Sequence, residues 1–148
     1  MSSLLEHVNV DVAAGTNSSG EPVFERLPAR LLDDGTYQIV SSPMLVLGLA
    51  AGDQITLLDG EFQVVSRSGN IAVQVFGAPA AVVASLREAV ATLGGNLDGQ
   101  EPRAVVFTIP VAVGFQAIES VFNQAEVDWY FGNVYDSDGV TPLLWWES

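Results

Sequence analysis

The chain has 148 residues, 49% of them hydrophobic, enough for one ordinary domain or two small lobes sharing a core. Its 18 acids stand against 5 bases, all arginine (Arg26, Arg30, Arg67, Arg87, Arg103), and the net charge of −13 argues against direct binding to nucleic acid or an anionic membrane surface. With no cysteine and one histidine, His7, the chain cannot form disulfides, thiolate zinc sites, iron–sulfur clusters, a cysteine nucleophile or a multi-histidine metal site, and no cofactor or metal is expected.

The first predicted strand covers His7 to Val12, with Val8, Val10 and Val12 on one face and Asn9 and Asp11 on the other. His7 reads as an exposed polar residue at the end of that strand. Gly15 to Gly20 is a loop with the glycine spacing of a phosphate cradle, but Glu21 stands where that cradle needs lysine. A strand over Pro22 to Leu32, the Asp33-Asp34-Gly35 turn and a strand over Thr36 to Val40 form a hairpin. The longest apolar run, Pro43 to Ala51, is too short for a membrane helix. Turns at Ala51-Gly52-Asp53 and Asp59-Gly60 lead into strands over Gln54–Leu58 and Glu61–Val65. Residues 1–68 are thus expected to make a small bent sheet or barrel.

The pattern changes near Arg67-Ser68-Gly69-Asn70. Ile71 to Phe76 is apolar on both faces, as an interior strand should be. Pro79 opens a helix whose Val83, Leu86, Val90 and Leu93 share one face, and Gly94-Gly95 stops it. A short strand over Asn96 to Gln100 and a longer one over Val105 to Ile109 follow, then a helix with Ile118, Val121, Phe122 and Ala125 on one face. Trp129 to Tyr135 reads as the last strand. The order strand, helix, strand, strand, helix, strand over residues 69–135 is that of a ferredoxin-like βαββαβ sandwich. The expected fold class is therefore α+β: a β-rich lobe packed on that sandwich, with residues 136–148 as an acidic, aromatic extension. An open sheet edge or face leaves room for a homodimer.

Several stretches resemble, in order and spacing, a bacterial family known as domain of unknown function 4265. They are Leu31-Leu32-Asp33-Asp34-Gly35-Thr36-Tyr37-Gln38-Ile39, Gly48-Leu49-Ala50-Ala51-Gly52-Asp53-Gln54-Ile55, the helix ending Leu93-Gly94, Val105-Val106-Phe107-Thr108-Ile109-Pro110 and Trp129-Tyr130-Phe131. The resemblance spans about residues 21–135 and implies no activity, cofactor or catalytic residue. Ile71 to Leu97, with its Gly77-Ala78-Pro79 turn, also looks somewhat like the small-molecule-sensing ACT module.

No catalytic constellation is legible. Asp136-Ser137-Asp138-Gly139 and Glu147 have the end-to-end spacing of a calcium loop, but Thr141 replaces its central glycine and Val140 one of its oxygen ligands. From Glu119 onward there are six acids (Glu119, Glu126, Asp128, Asp136, Asp138, Glu147) and no base, together with all three tryptophans. The candidate binding residues are Glu126, Asp128, Trp129, Tyr130, Tyr135, Asp136, Asp138, Trp145, Trp146 and Glu147. Aromatic anchors ringed by acids suit a basic protein partner. The leading expectation is a cytoplasmic, non-enzymatic binding protein, such as an immunity protein or inhibitor that neutralises a basic toxin. The alternatives are an ACT-like sensing domain and, third, an enzyme using carboxylates.

Overall fold

A computed structural model describes residues 6–135 and 140–147. It is an α+β structure with two antiparallel sheets. The first holds β1 (Glu6–Thr16), β2 (Pro22–Leu31), β3 (Tyr37–Ile39), β4 (Gln54–Leu58) and β5 (Glu61–Ser66) in sequential order. The β2–β3 and β4–β5 hairpins close through turns that their own residues dictate, while a longer irregular stretch, 40–53, joins β3 to β4. At the β2–β3 turn, Asp34 Oδ1 accepts from the backbone N–H and hydroxyl of Thr36. At β4–β5, Asp59 and Gly60 both take positive φ, the twist that a two-residue hairpin needs. Val10, Val12, Leu27, Ala29, Ile39 and Ile55 point inward as a small core. The sheet bends until Ala13 N–H meets Gly60 O at 2.8 Å, but the ladder does not close. Of the two forms expected for this lobe, the bent sheet is the one observed, not a barrel.

The second sheet contains β6 (Asn70–Phe76), β7 (Asn96–Glu101), β8 (Ala104–Pro110) and β9 (Asp128–Phe131) in the order β7-β8-β6-β9, with α1 (Ala80–Thr92) and α2 (Phe115–Gln124) between strands. All its pairings are antiparallel. Val73 faces Phe107 and Val75 faces Val105 across β6 and β8; together with Val83, Leu86, Val90, Ile118 and Phe122 they make the main core. Phe107 and Phe122 are fully buried, each contributing about 1.5–3 kcal/mol. The α1 stop is a Schellman motif: Gly95 N–H reaches Val90 O, Gly94 N–H reaches Ala91 O, and Gly94 supplies the left-handed φ of +86°.

The opposite face of β6 and β8 is buried too, under the irregular stretch 40–53. Met44 and Ala50 pack on Ala72 and Val106. Polar groups key this contact. Ser42 Oγ lies 2.6 Å from Thr108 Oγ1 and accepts from Ala51 N–H, while the Asp98 carboxylate accepts from Thr108 Oγ1 and Ser42 N–H. The apolar run at 43–51 is therefore a plug between the two sheets.

The last strand is shorter than its sequence suggests. β9 ends at Phe131, and the Asn133 side chain takes over the pairing with β6: Oδ1 accepts from Ala72 N–H at 2.9 Å and Nδ2 donates to Asn70 O at 2.9 Å. Tyr135 instead forms an isolated bridge with Pro142.

Candidate functional site

Two regions collect chemistry-bearing side chains. The first is aromatic. Along β9, Trp129 and Phe131 turn toward α2, while Asp128 and Tyr130 turn to the other face. Successive ring contacts of 5.0–5.6 Å connect Phe107, Phe122, Trp129, Phe131, Phe115, Trp146 and Trp145. Most of these are tilted or edge-to-face, the geometry that ring quadrupoles favour. Trp129 Nε1 donates to Asn123 Oδ1 at 3.1 Å, and Trp145 Nε1 to Asn133 O at 2.9 Å. The three indoles are half-buried, each with one side against the core.

The structure thus brings Trp129, Trp145 and Trp146 together through Phe131 and Phe115. Glu126, Asp128 and Glu147 are exposed, and neither ion pair among the described residues uses them. Glu126 follows α2 at a left-handed φ of 56°. Tyr130 lies apart from the indoles, stacked on Phe76 at 5.3 Å, and partial burial raises its phenol pKa. Tyr135 is farther off, on the rim of the second region. Asp136 and Asp138 lie outside the described residues.

The second region centres on Arg67, at the crossing between the sheets. The Asp53 carboxylate beneath it is 1% exposed. It accepts from Ala50 N–H, Ser68 N–H, Ser68 Oγ and Arg67 Nη1, the last at 3.4 Å. Burial raises the Asp53 pKa, against the lowering effect of those hydrogen bonds and the guanidinium. Arg67 Nη1 also donates to Gly48 O at 2.7 Å, and its guanidinium carbon lies 5.6 Å from the Trp145 ring centre. A cleft of about 340 Å³ opens on one side of Arg67 between Leu47 and Tyr135. A shallower shelf formed with Trp145 and Trp146 opens on the other.

Sequence reasoning gave Asp53 only a turn role and singled out no arginine. An acid beside glycine in a turn looks like a solvated acid. Its pairing with Arg67 depends on β4 and β5 folding back, which local pattern does not show.

The model of a family described as Domain of unknown function (DUF4265) matches residues 25–130. The chain belongs to this family. Of the two regions, the match includes Asp53, Arg67 and Trp129, while Trp145 and Trp146 of this DUF4265 protein lie beyond it. A solved structure described as "Novel crystal structure of a hypothetical protein from Neisseria gonorrhoeae" is similar, with a TM-score of 0.68 and 15% identity. The similarity covers 86% of this chain and 94% of that one, and at this identity it speaks to fold alone. No curated protein gives a significant match.

Within the described residues no group of three or more His, Asp or Glu side chains is placed to hold a metal ion, and no helix is long and apolar enough to cross a membrane.

Proposed function

We propose that this DUF4265 protein is a cytoplasmic, non-enzymatic binding protein that captures a basic protein surface through its acidic, aromatic side. An immunity protein or an inhibitor of a cationic toxin is one concrete form. One observation carries the reading: half-buried indoles border solvent in the same segment as Glu119, Glu126 and Glu147, all exposed and outside the ion pairs of the described residues. Rigid rings anchored on a core lose little side-chain entropy on docking. Unpaired acids steer a basic partner and are neutralised by it. The net charge of −13 favours such neutralisation.

The test is retention of proteins by immobilised full-length chain at about 0.05 M and about 0.5 M salt, compared with the Glu119→Arg/Glu126→Arg double variant and with Trp146→Ala. The expected partner is basic, is released by salt, and is held at least tenfold more weakly by either variant. Retention of no basic protein, or equal retention at both salts and by the charge variant, would refute the reading.

A further inference from the structure

We propose that the face of the second sheet turned away from the helices binds an arginine side chain of a partner, laid over the stacked rings of Tyr130 and Phe76 with its guanidinium on Asp128. The site stands apart from the indole surface and uses none of its residues. Strand register brings the three side chains together. Phe76 on β6 pairs with Asp128 on β9 and lies diagonal to Tyr130, which pairs with Gln74. Asp128 and Tyr130, two residues apart on one strand, point to the same face. Directly opposed residues on one face stand about 5 Å apart at Cβ, and neighbours two residues apart on a strand about 7 Å. These spacings suit a guanidinium, whose plane can stack on a ring while its edge donors reach a carboxylate.

Core packing does not account for the ring pair. Phe76 and Tyr130 belong to none of the three core clusters of the described residues. The stretch 40–53 covers the adjoining rows, with Met44 on Ala72 and Val106 and with Pro43 O on the Gln74 amide, yet Tyr130 stays 45% exposed. Its ring lies 5.3 Å from that of Phe76 with the planes 21° apart, so one face of Tyr130 is shielded by Phe76 and the stack holds the ring in place before any partner arrives. Charge selects the ligand. Asp128 is exposed, and its carboxylate enters no ion pair or hydrogen bond of the described residues. Across the same row, Phe76 pairs with Ala104 and Ala104 with Glu101. Glu101 and Arg103 flank the β7–β8 turn and offset one another, which leaves Asp128 as the unbalanced charge of the row. A ring face beside an unbalanced carboxylate attracts a cation. A guanidinium fits better than an ammonium because it is planar, more weakly hydrated and able to pair and stack together.

The test titrates the isotope-labelled full-length protein at about 0.05 M salt with a blocked Gly-Arg-Gly-Arg-Gly peptide and with its lysine and citrulline counterparts, following backbone amide and indole N–H signals by NMR. Saturable shifts are expected at residues 76, 104, 128 and 130, with the indole signals of Trp145 and Trp146 unmoved. The arginine peptide should bind about fivefold more tightly than the lysine peptide, and the uncharged citrulline peptide should not bind. Tyr130→Leu keeps apolar bulk without the ring, and Asp128→Asn keeps shape without the charge; both positions are exposed. Each should weaken the arginine peptide at least fivefold, to about the level of a surface without the site, while leaving Tm near wild type. Asp33→Asn makes the same charge change in an exposed turn of the first sheet and should leave binding unaltered. Equal affinity for the lysine peptide, shifts confined to the indole signals, wild-type affinity in Asp128→Asn, or an equal loss in Asp33→Asn would each overturn the inference.

Discussion

Replacing Glu25 by alanine removes the acceptor for three consecutive backbone N–H groups. The carboxylate takes Met44 N–H on Oε2 and both Leu45 and Val46 N–H on Oε1, each at 2.9 Å. Bonds to a charged acceptor contribute about 1.5–3 kcal/mol each, and the low end applies where solvent reaches. Leu45 is exposed, and water can replace the carboxylate at its N–H; Met44 is half-buried and Val46 buried. Two bonds at the low end give a loss of about 3 kcal/mol for Glu25→Ala. Glu25→Gln keeps one oxygen, which can serve Leu45 and Val46, and puts an amide against Met44 N–H, for a loss of about 1–1.5 kcal/mol. Urea denaturation at an unchanged m-value reads both losses, and hydrogen exchange at residues 44–46 should speed in the same order. Equal losses for the two variants, or less than about 0.5 kcal/mol for alanine, would refute the claim that this carboxylate organises the plug.

Phe122→Ala should lose about 3–5 kcal/mol in the same assay, because the ring is fully buried between Phe107 and Trp129 and its removal leaves a cavity. Trp fluorescence should change with it, since Trp129 loses its neighbour. Stability should also fall as pH rises. Burial holds the Asp53 pKa above its ordinary 3.8, so between 3.8 and the folded value the native state binds the proton more tightly than the unfolded chain. That contribution is present at low pH and is lost as pH climbs through the folded pKa. Self-repulsion at net −13 has the same sign. Asp34, its pKa lowered by Thr36, acts in the opposite sense below 3.8 only. Thermal melts should therefore give a higher Tm at about pH 4 than at about pH 8, and a Tm that climbs steadily to pH 8 would contradict this account.

Local pattern sufficed for elements that satisfy their own backbone or carry a clear face. The alternation of β1, the Asp34-Gly35 and Asp59-Gly60 turns, and the Gly94-Gly95 helix stop were all readable, because neighbouring residues decide them. β6 was readable as an interior strand because both its faces are apolar, and β8 as a strand by its alternation. What failed involves distant partners. The end of β9 moved because the Asn133 amide pairs with Asn70 and Ala72, some sixty residues away, in place of backbone. The stretch 43–51 looked like a bare apolar run because its determinants, Glu25 and Asp98, come from other strands. The candidate acids were readable by composition, but their grouping was not. Alternation along β9 sends Trp129 and Tyr130 to opposite faces, splitting what the sequence suggested as one surface.

The aromatic layer and the Arg67 cluster both follow from the demands of β6. A strand apolar on both faces needs two covers, one from the helices and one from the stretch 40–53. The helical cover is short: α2 has ten residues, and the rings of Phe115, Phe131 and Trp146 continue the layer past its N-terminal end. Rings at the margin of a layer are half-buried by necessity, and such rings make anchors for a partner. The other cover belongs to the first sheet, so the chain must cross between sheets at residues 67–69. Backbone polar groups at a crossing lack ladder partners and must be met by side chains. Asp53 meets Ala50 and Ser68, Arg67 meets Gly48, and the charges of the two offset each other. The demand for closure thus places a guanidinium between the two sheets, beside the cleft and the indole shelf.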